Sequence, residues 1–378
     1  EIYTLSLHDA LPIWSAKLSA VLLGDAMIPS EGFRGAWEKY LSRYGDVAFA
    51  GDWETSWDKL QYRRLEVEKK GPETEPCDPL ILKYGKNASV LMGLFIAVSS
   101  SVMDAMPSLR IVGVSRAGLE NVNVKEATRR GILVFNVMGR NAHAVSDFAI
   151  GMMLAECRNI ARAFASIKSG GWRKTFSNSD NIPELGGKTV GIVGFGNIGR
   201  LVAKKLSGFE TNILVYDPYT DSESIREAGC TPVDLDDMFS MADFVTIHAR
   251  LTDENKGMIG AELIRKMKPT SYLINTGRAG LVDQDALAAA LKERRIMGAA
   301  LDVFATEPIA KDSPFLELDN VTLTTHIAGT TSDALTNSPY LLASDIAAFL
   351  ENRAGRFIVN REVLSNPEFK KWLETIQG

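Results

Sequence analysis

The sequence predicts an α/β chain built as two doubly wound parallel-sheet domains. Three observations carry this. The length of 378 residues exceeds what one typical core organises. Strand-sized apolar runs alternate with amphipathic helical stretches. The alternation comes in two series, separated by a long helical run.

In the first series, "LSAVLLGDA", "DVAFAG", "ASVLMGLF", "LRIVGVS" and "ILVFN" read as five strands, with helical patterns between most of them, as at 31–44 and 55–69. Residues 52–79 are dense in charge and finish in a Pro-rich linker. They read as a solvated helix followed by a loop, with an active-site flap as the lesser alternative. From about Asn141 to Ser169 the pattern becomes one long helix. Ala144, Phe148, Met152 and Ala155 fall on one stripe, which suits packing between domains or subunits. The second series, "KTVGIVG", "TNILVYD", "DFVTIH", "SYLIN", "GAALDVF" and "NVTLTTH", supplies six more strands, and the chain turns helical again after Gly329.

Hydrophobic residues make up 46% and charged residues 24%, and the net charge of −5 comes without a basic stripe, which argues against a nucleic-acid partner. No apolar run approaches the ~18 residues of a membrane helix. Cys77, Cys157 and Cys230 are odd in number, far apart and without metal-ligand spacing. They read as reduced thiols of a cytoplasmic protein that binds no metal. The opening "EIYTLSLHDALPI" lacks a basic n-region and resembles the in-frame translation of a short-read sequencing adapter. Residues 1–13 are therefore set aside as a non-native leader, and His8 with them.

"TVGIVGFGNIGRLVAKKLSGFETNILVYD" places Gly194, Gly196 and Gly199 directly after a strand and at the start of a helix, with Ile198 turned inward. Such glycines allow a tight turn, close approach to a pyrophosphate and close helix-on-strand packing. The helix N-terminus offers free N–H groups to the phosphates. Asp217, ending the next strand, suits a ribose diol and repels a 2′-phosphate, so NAD is expected over NADP. Asn197 and Ile198 complete the turn.

In open α/β sheets ligands bind beyond the carboxyl ends of the strands. "SYLIN" ends toward Thr276, Gly277 and Arg278, "GAALDVF" toward Glu307, and "NVTLTT" at His326. Each has a bland reading taken singly: a turn partner, a surface charge, a satisfied loop histidine. Together, beside a dinucleotide turn, they suit hydride transfer to a 2-keto acid. A forked guanidinium holds the carboxylate, an imidazole protonates the alkoxide, and a carboxylate steadies the imidazole. Of the other histidines, His143 reads as structural and His248 as lining the nicotinamide side.

"GFGNIG", "INTGRAGLVD", "LDVFATEP" and "LTTHIAG", in this order and spacing, resemble the D-isomer-specific 2-hydroxyacid dehydrogenases, over nearly all of residues 17–365. The resemblance implies a Rossmann NAD-binding domain at 141–328, inserted in a discontinuous flavodoxin-like substrate domain formed by 14–140 and 329–378. It carries over Arg278 as substrate anchor, His326 as acid–base and Glu307 as its partner. It also implies that Asp302 contacts the nicotinamide carboxamide, that Arg116, Ala117 and Gly118 lie in the loop holding the substrate carboxylate, and that the long helix forms a homodimer. Two departures stand out. The loop after "RAG" is shorter than usual, and Arg140 occupies a position where a small residue is more usual. Arg116 and Arg140 are accordingly expected either to bind a distal anionic end of the substrate or to brace a hinge. The alternative to an enzyme is an NAD-sensing, corepressor-like interaction protein on the same scaffold.

Overall fold

The computed structural model describes residues 17–352 and 354–377. The expected leader 1–13, with His8, lies outside the described residues. The chain divides into two compact units: one runs to Arg140 and resumes at Ser332, and the other is Asn141–Thr331.

The first unit holds β1 (Leu18–Asp25), β2 (Gly45–Glu54), β3 (Val90–Gly93), β4 (Ile111–Val114) and β5 (Leu133–Phe135). They form a parallel sheet in the order β2-β1-β3-β4-β5, a doubly wound arrangement that reverses direction between β1 and β3. Burial of both faces explains the near-continuous apolar runs. Ala20 and Leu22 pack in a core with Phe33, Trp37, Leu342 and Phe349. Val21 and Leu23 pack on the opposite face with Ile81, Val102 and Val112. Within 52–79, Ser56 caps a helix over Trp57–Lys70 by accepting from the Lys59 N–H. Leu60 and Val67 anchor this helix, while Tyr62 and Leu65 stay exposed.

The second unit holds β6 (Thr189–Val193), β7 (Asn212–Tyr216), β8 (Thr231–Pro232), β9 (Phe244–Ile247), β10 (Tyr272–Asn275), β11 (Gly298–Leu301) and β12 (Val321–Leu323). All are parallel, in the order β12-β11-β10-β9-β6-β7-β8. Six of these strands follow the sequence pattern. The two-residue β8 carries no apolar run that would announce it. Val193, Val245 and Leu273 pack on one face of the sheet, and Ile192, Phe244 and Ile274 on the other.

The expected single helix from Asn141 to Ser169 is two helices, Ala142–Cys157 and Ile160–Lys168. Asn159 breaks it by adopting a left-handed conformation (φ 58°), which asparagine tolerates better than most residues. Its side chain holds the break: Nδ2 donates to Asn178 Oδ1 at 2.7 Å, and Oδ1 accepts from Arg162 Nη1 at 3.2 Å. Among the described residues, no helix is long and apolar enough to cross a membrane.

Candidate active site

β6 is followed directly by Gly194, whose φ of +96° is in the left-handed region. A Cβ there would lie 2.5 Å from the Ala249 nitrogen, so side chains are excluded on two counts. At Gly199 a Cβ would meet the Gly194 carbonyl oxygen at 2.1 Å, which is the close approach of helix to strand. Gly196 is exposed, with open space where its Cβ would be. It occupies the N-cap position of the helix Asn197–Leu206 without a side-chain cap, leaving first-turn N–H groups available to an anion. Asn197 is exposed and Ile198 packs against the core beneath. This cradle fits a dinucleotide pyrophosphate.

Asp217, at the end of β7, does more than the sequence suggested. Its Oδ2 accepts from the Phe195 N–H at 2.6 Å, and its Oδ1 accepts from Tyr219 and Thr220 N–H at 2.8 and 3.0 Å. The carboxylate thus ties the glycine turn to the neighbouring strand end while staying half-exposed.

At the end of β9, His248 meets Thr246 Oγ1 through Nε2 at 2.9 Å. Its Nδ1 is buried with no partner. Burial pushes its pKa down to about 3, so the ring is neutral at physiological pH. Past β10, Thr276 Oγ1 is likewise buried without a partner. Two orphaned polar atoms, past the ends of the neighbouring strands β9 and β10, fit a bound polar ring and its amide.

Asn275, which the sequence reading did not single out, shapes the turn that carries Arg278. Its Oδ1 accepts from Gly277 N–H at 3.0 Å and its Nδ2 donates to the Arg278 carbonyl at 3.1 Å. The Arg278 guanidinium is exposed, donates to the Gly277 carbonyl at 2.9 Å, and forms no ion pair among the described residues. A short polar side chain closing an apolar strand was the available signal for Asn275, but its role depends on the turn geometry.

Asp302 is fully buried after β11. It accepts from Thr324 Oγ1 at 2.6 Å, Ile327 N–H at 3.0 Å and Ala328 N–H at 2.9 Å. In this structure the carboxylate folds the loop that presents His326. His326 itself has a φ of +58°. Its Nδ1 lies 2.7 Å from Glu307 Oε2, and the other Glu307 oxygen accepts from the Phe304 N–H at 3.0 Å. With Nδ1 engaged, Nε2 is the nitrogen left for a substrate. Arg278, Glu307 and His326 line one open cavity of about 1060 Å³, together with Leu251, Phe304 and Phe315. His143, by contrast, sits exposed in the first turn of its helix.

The remaining predicted residues belong to the first unit. Arg116 follows β4, and its Nη2 meets Glu68 Oε1 at 2.9 Å and Glu120 Oε2 at 3.0 Å. The Ala117 carbonyl accepts from Asn136 Nδ2 at 2.8 Å. Gly118 lies beside the Arg116 and Glu120 side chains. Arg140 Nη1 is buried with no partner, and burial, then Arg116 and Arg64, lowers the pKa of Arg140.

Residues 150–328 match the family model described as D-isomer specific 2-hydroxyacid dehydrogenase, NAD binding domain. A glyoxylate reductase from Korarchaeum cryptofilum is 37% identical over 302 residues, covering 79% of this chain and 91% of that one. A D-3-phosphoglycerate dehydrogenase from Archaeoglobus fulgidus is 36% identical over 314 residues, covering 83% of this chain. The match spans only 58% of that longer relative. The solved D-lactate dehydrogenase of Treponema pallidum shares the fold, with a TM-score of 0.70 at 22% identity over 90% of this chain and 99% of that one. The glycine turn, the strand-end residues and these matches agree: the chain belongs to the D-isomer-specific 2-hydroxyacid dehydrogenase family.

Proposed function

We propose that the protein is an NAD-dependent D-2-hydroxyacid dehydrogenase, interconverting a D-2-hydroxy acid and its 2-keto acid. The observation that carries this is the 2.7 Å His326–Glu307 pair on the same cavity as Arg278, which forms no ion pair among the described residues. The dinucleotide supplies or accepts the hydride. Arg278 holds the substrate carboxylate and polarises the adjacent carbonyl. His326 Nε2 delivers a proton to the carbonyl oxygen during reduction and takes it from the hydroxyl during oxidation. Glu307 fixes the ring through Nδ1 and steadies the imidazolium.

Gly194, Gly196, Asn197, Ile198 and Gly199 hold the pyrophosphate on this reading, and Asp217 the adenosine ribose. His248, Thr276, Gly277 and Asp302 surround the nicotinamide. Because both Asp302 oxygens already accept hydrogen bonds, its share is in positioning the His326 loop. Arg116, Ala117, Gly118 and Arg140 are assigned to the substrate.

The partner is a second copy of the chain, and the helix Ile160–Lys168 supports this with exposed Ile160, Phe164 and Ile167 at helical spacing, followed by exposed Trp172. A cytoplasmic location is supported by Cys77, Cys157 and Cys230, all free thiols. The NAD-sensing corepressor-like alternative is not favoured, since the relatives found are dehydrogenases and reductases.

A panel of 2-keto acids offered with NADH tests the proposal. Oxidation of NADH by at least one acid is expected. Arg278→Ala should then lower kcat/KM by about 1.5–3 kcal/mol, the range for a hydrogen bond to a charged group. Tight NADH binding with no turnover of any acid would return the protein to the regulator reading.

A further inference from the structure

The helix Trp57–Lys70 reads from sequence as solvated, yet it turns Arg64 and Glu68 toward residues that follow the strands of the first sheet. Arg64 and Arg116 share one aromatic base, with their guanidinium carbons 5.4 and 4.8 Å from the Phe95 ring centroid. They also share one carboxylate: Glu68 Oε1 lies 3.2 Å from Arg64 Nε and 2.9 Å from Arg116 Nη2. Arg140 joins them as a third cation, close enough that both lower its pKa.

Three guanidiniums face two carboxylates, Glu68 and Glu120, and both carboxylates contact Arg116. One positive charge is left over. Arg64 Nε, Arg116 Nη1 and Arg140 Nη1 are all buried without a hydrogen-bond acceptor. Arg64 Nε is near Glu68 in charge but is not aligned to donate to it. Among the described residues, the Arg140 side chain has no hydrogen bond or ion pair. A bracing network would satisfy its own donors, because a buried unpaired N–H is costly and like charges repel. Three orphaned donors from three chain segments, with an excess positive charge, make up a donor set that oxygen acceptors of an anion would satisfy.

We propose that Arg64, Arg116 and Arg140 form an oxyanion-binding site in the first unit, which takes a phosphate or carboxylate group of a small molecule. Phe95 forms its floor, and Glu68 and Glu120 set its net charge at one positive unit. The arrangement favours planar or tetrahedral oxygen groups over chloride, because only these present several acceptors to separated N–H groups. The existence of the site does not depend on dehydrogenase activity. Whether the anion is free or is the tail of a 2-keto acid does depend on it.

The test uses the whole chain with inorganic phosphate and malonate, against sodium chloride at matched ionic strength. Phosphate or malonate should raise Tm saturably and give measurable heat on titration, while chloride should not. Arg140→Met and Arg64→Gln should each weaken that binding at least tenfold. NADH affinity, read by fluorescence, serves as the folding control. Without added anion, Arg140→Met should match or exceed the wild-type Tm, since it removes an unpaired buried charge, whereas loss of a brace would lower it.

The source of the anion is read separately. If it is a substrate tail, Arg64→Gln raises KM for 2-keto acids with a second anionic group at least tenfold more than for pyruvate. If it is a free anion, phosphate binds and that ratio is unchanged. The proposal is overturned if wild type shows no saturable response to either probe, or if both variants retain it. These binding readouts stand even for a protein that turns over nothing.

Discussion

At the carboxyl edge of the second sheet three acidic side chains are tied down by the chain itself, whereas one cluster in the first unit holds more arginines than the carboxylates they meet. Asp217, Asp302 and Glu307 accept hydrogen bonds from Phe195, from Ile327 and Ala328, and from Phe304 respectively. Each bond holds a loop that presents a functional group: the glycine turn, His326, or the His326 partner. In the first unit, Arg64, Arg116 and Arg140 outnumber their carboxylates and leave donors buried and unpaired. The carboxylates of the second edge are set by the chain itself, whereas the arginine cluster of the first unit keeps charged donors that the chain leaves unpaired. Preorganisation belongs with chemistry, where dipoles must not move during reaction. Unsatisfied charge belongs with recognition, where the ligand completes the site.

The sharpest way to break this contrast is His326→Ala. If the second edge is preorganised for proton transfer, turnover should fall ~10²–10⁴-fold while NADH affinity holds. Unchanged turnover in a steady-state assay would remove His326 from the chemistry.

A second prediction concerns stored charge within the first unit itself. Asp25, buried at the end of β1, accepts from Met27, Ile28 and Phe95 N–H groups. Burial nevertheless pushes its pKa up to about 6, against those bonds, which lower it. The folded state therefore holds this proton more tightly than the unfolded chain, whose ordinary aspartate releases it near pH 4. The stabilisation from Asp25 is complete below about pH 4 and is lost as pH rises through about 6, amounting to roughly 3 kcal/mol. The difference in unfolding free energy between wild type and Asp25→Asn should move in favour of Asn across that window. A difference that is flat with pH would count against the raised pKa.

The smallest effect is expected at Asp217. Asp217→Ala should narrow the preference for NADH over NADPH in kcat/KM by removing phosphate repulsion. It should also loosen the glycine turn, so NADH affinity falls as well. A wild-type enzyme that prefers NADPH would contradict this reading of the strand end.

Much of this was legible in the residues. Runs such as "LSAVLLGDA" and "TVGIVG" are apolar throughout because both sheet faces are buried, and their spacing sets the winding. Arg278, Glu307 and His326 could be found because each follows a strand by only a few residues, and a parallel sheet delivers all such ends to one edge. Local pattern failed where the deciding partner is distant in sequence. The break at Asn159 rests on Asn178 and Arg162. Arg64 looked like one charge among many on a solvated helix.

The sequence alone therefore determined the two sheets, the glycine turn and the identity of the strand-end residues, since strand periodicity and the glycine requirement are local properties of the chain. Tertiary structure decided which side chains are satisfied. Asp302 lies 25 residues from the Ile327 N–H it holds, and Arg116 lies 48 from the Glu68 it shares with Arg64. Hydrogen-bond satisfaction depends on separations of about 3 Å between atoms, and only the packed chain sets those separations across such gaps in sequence.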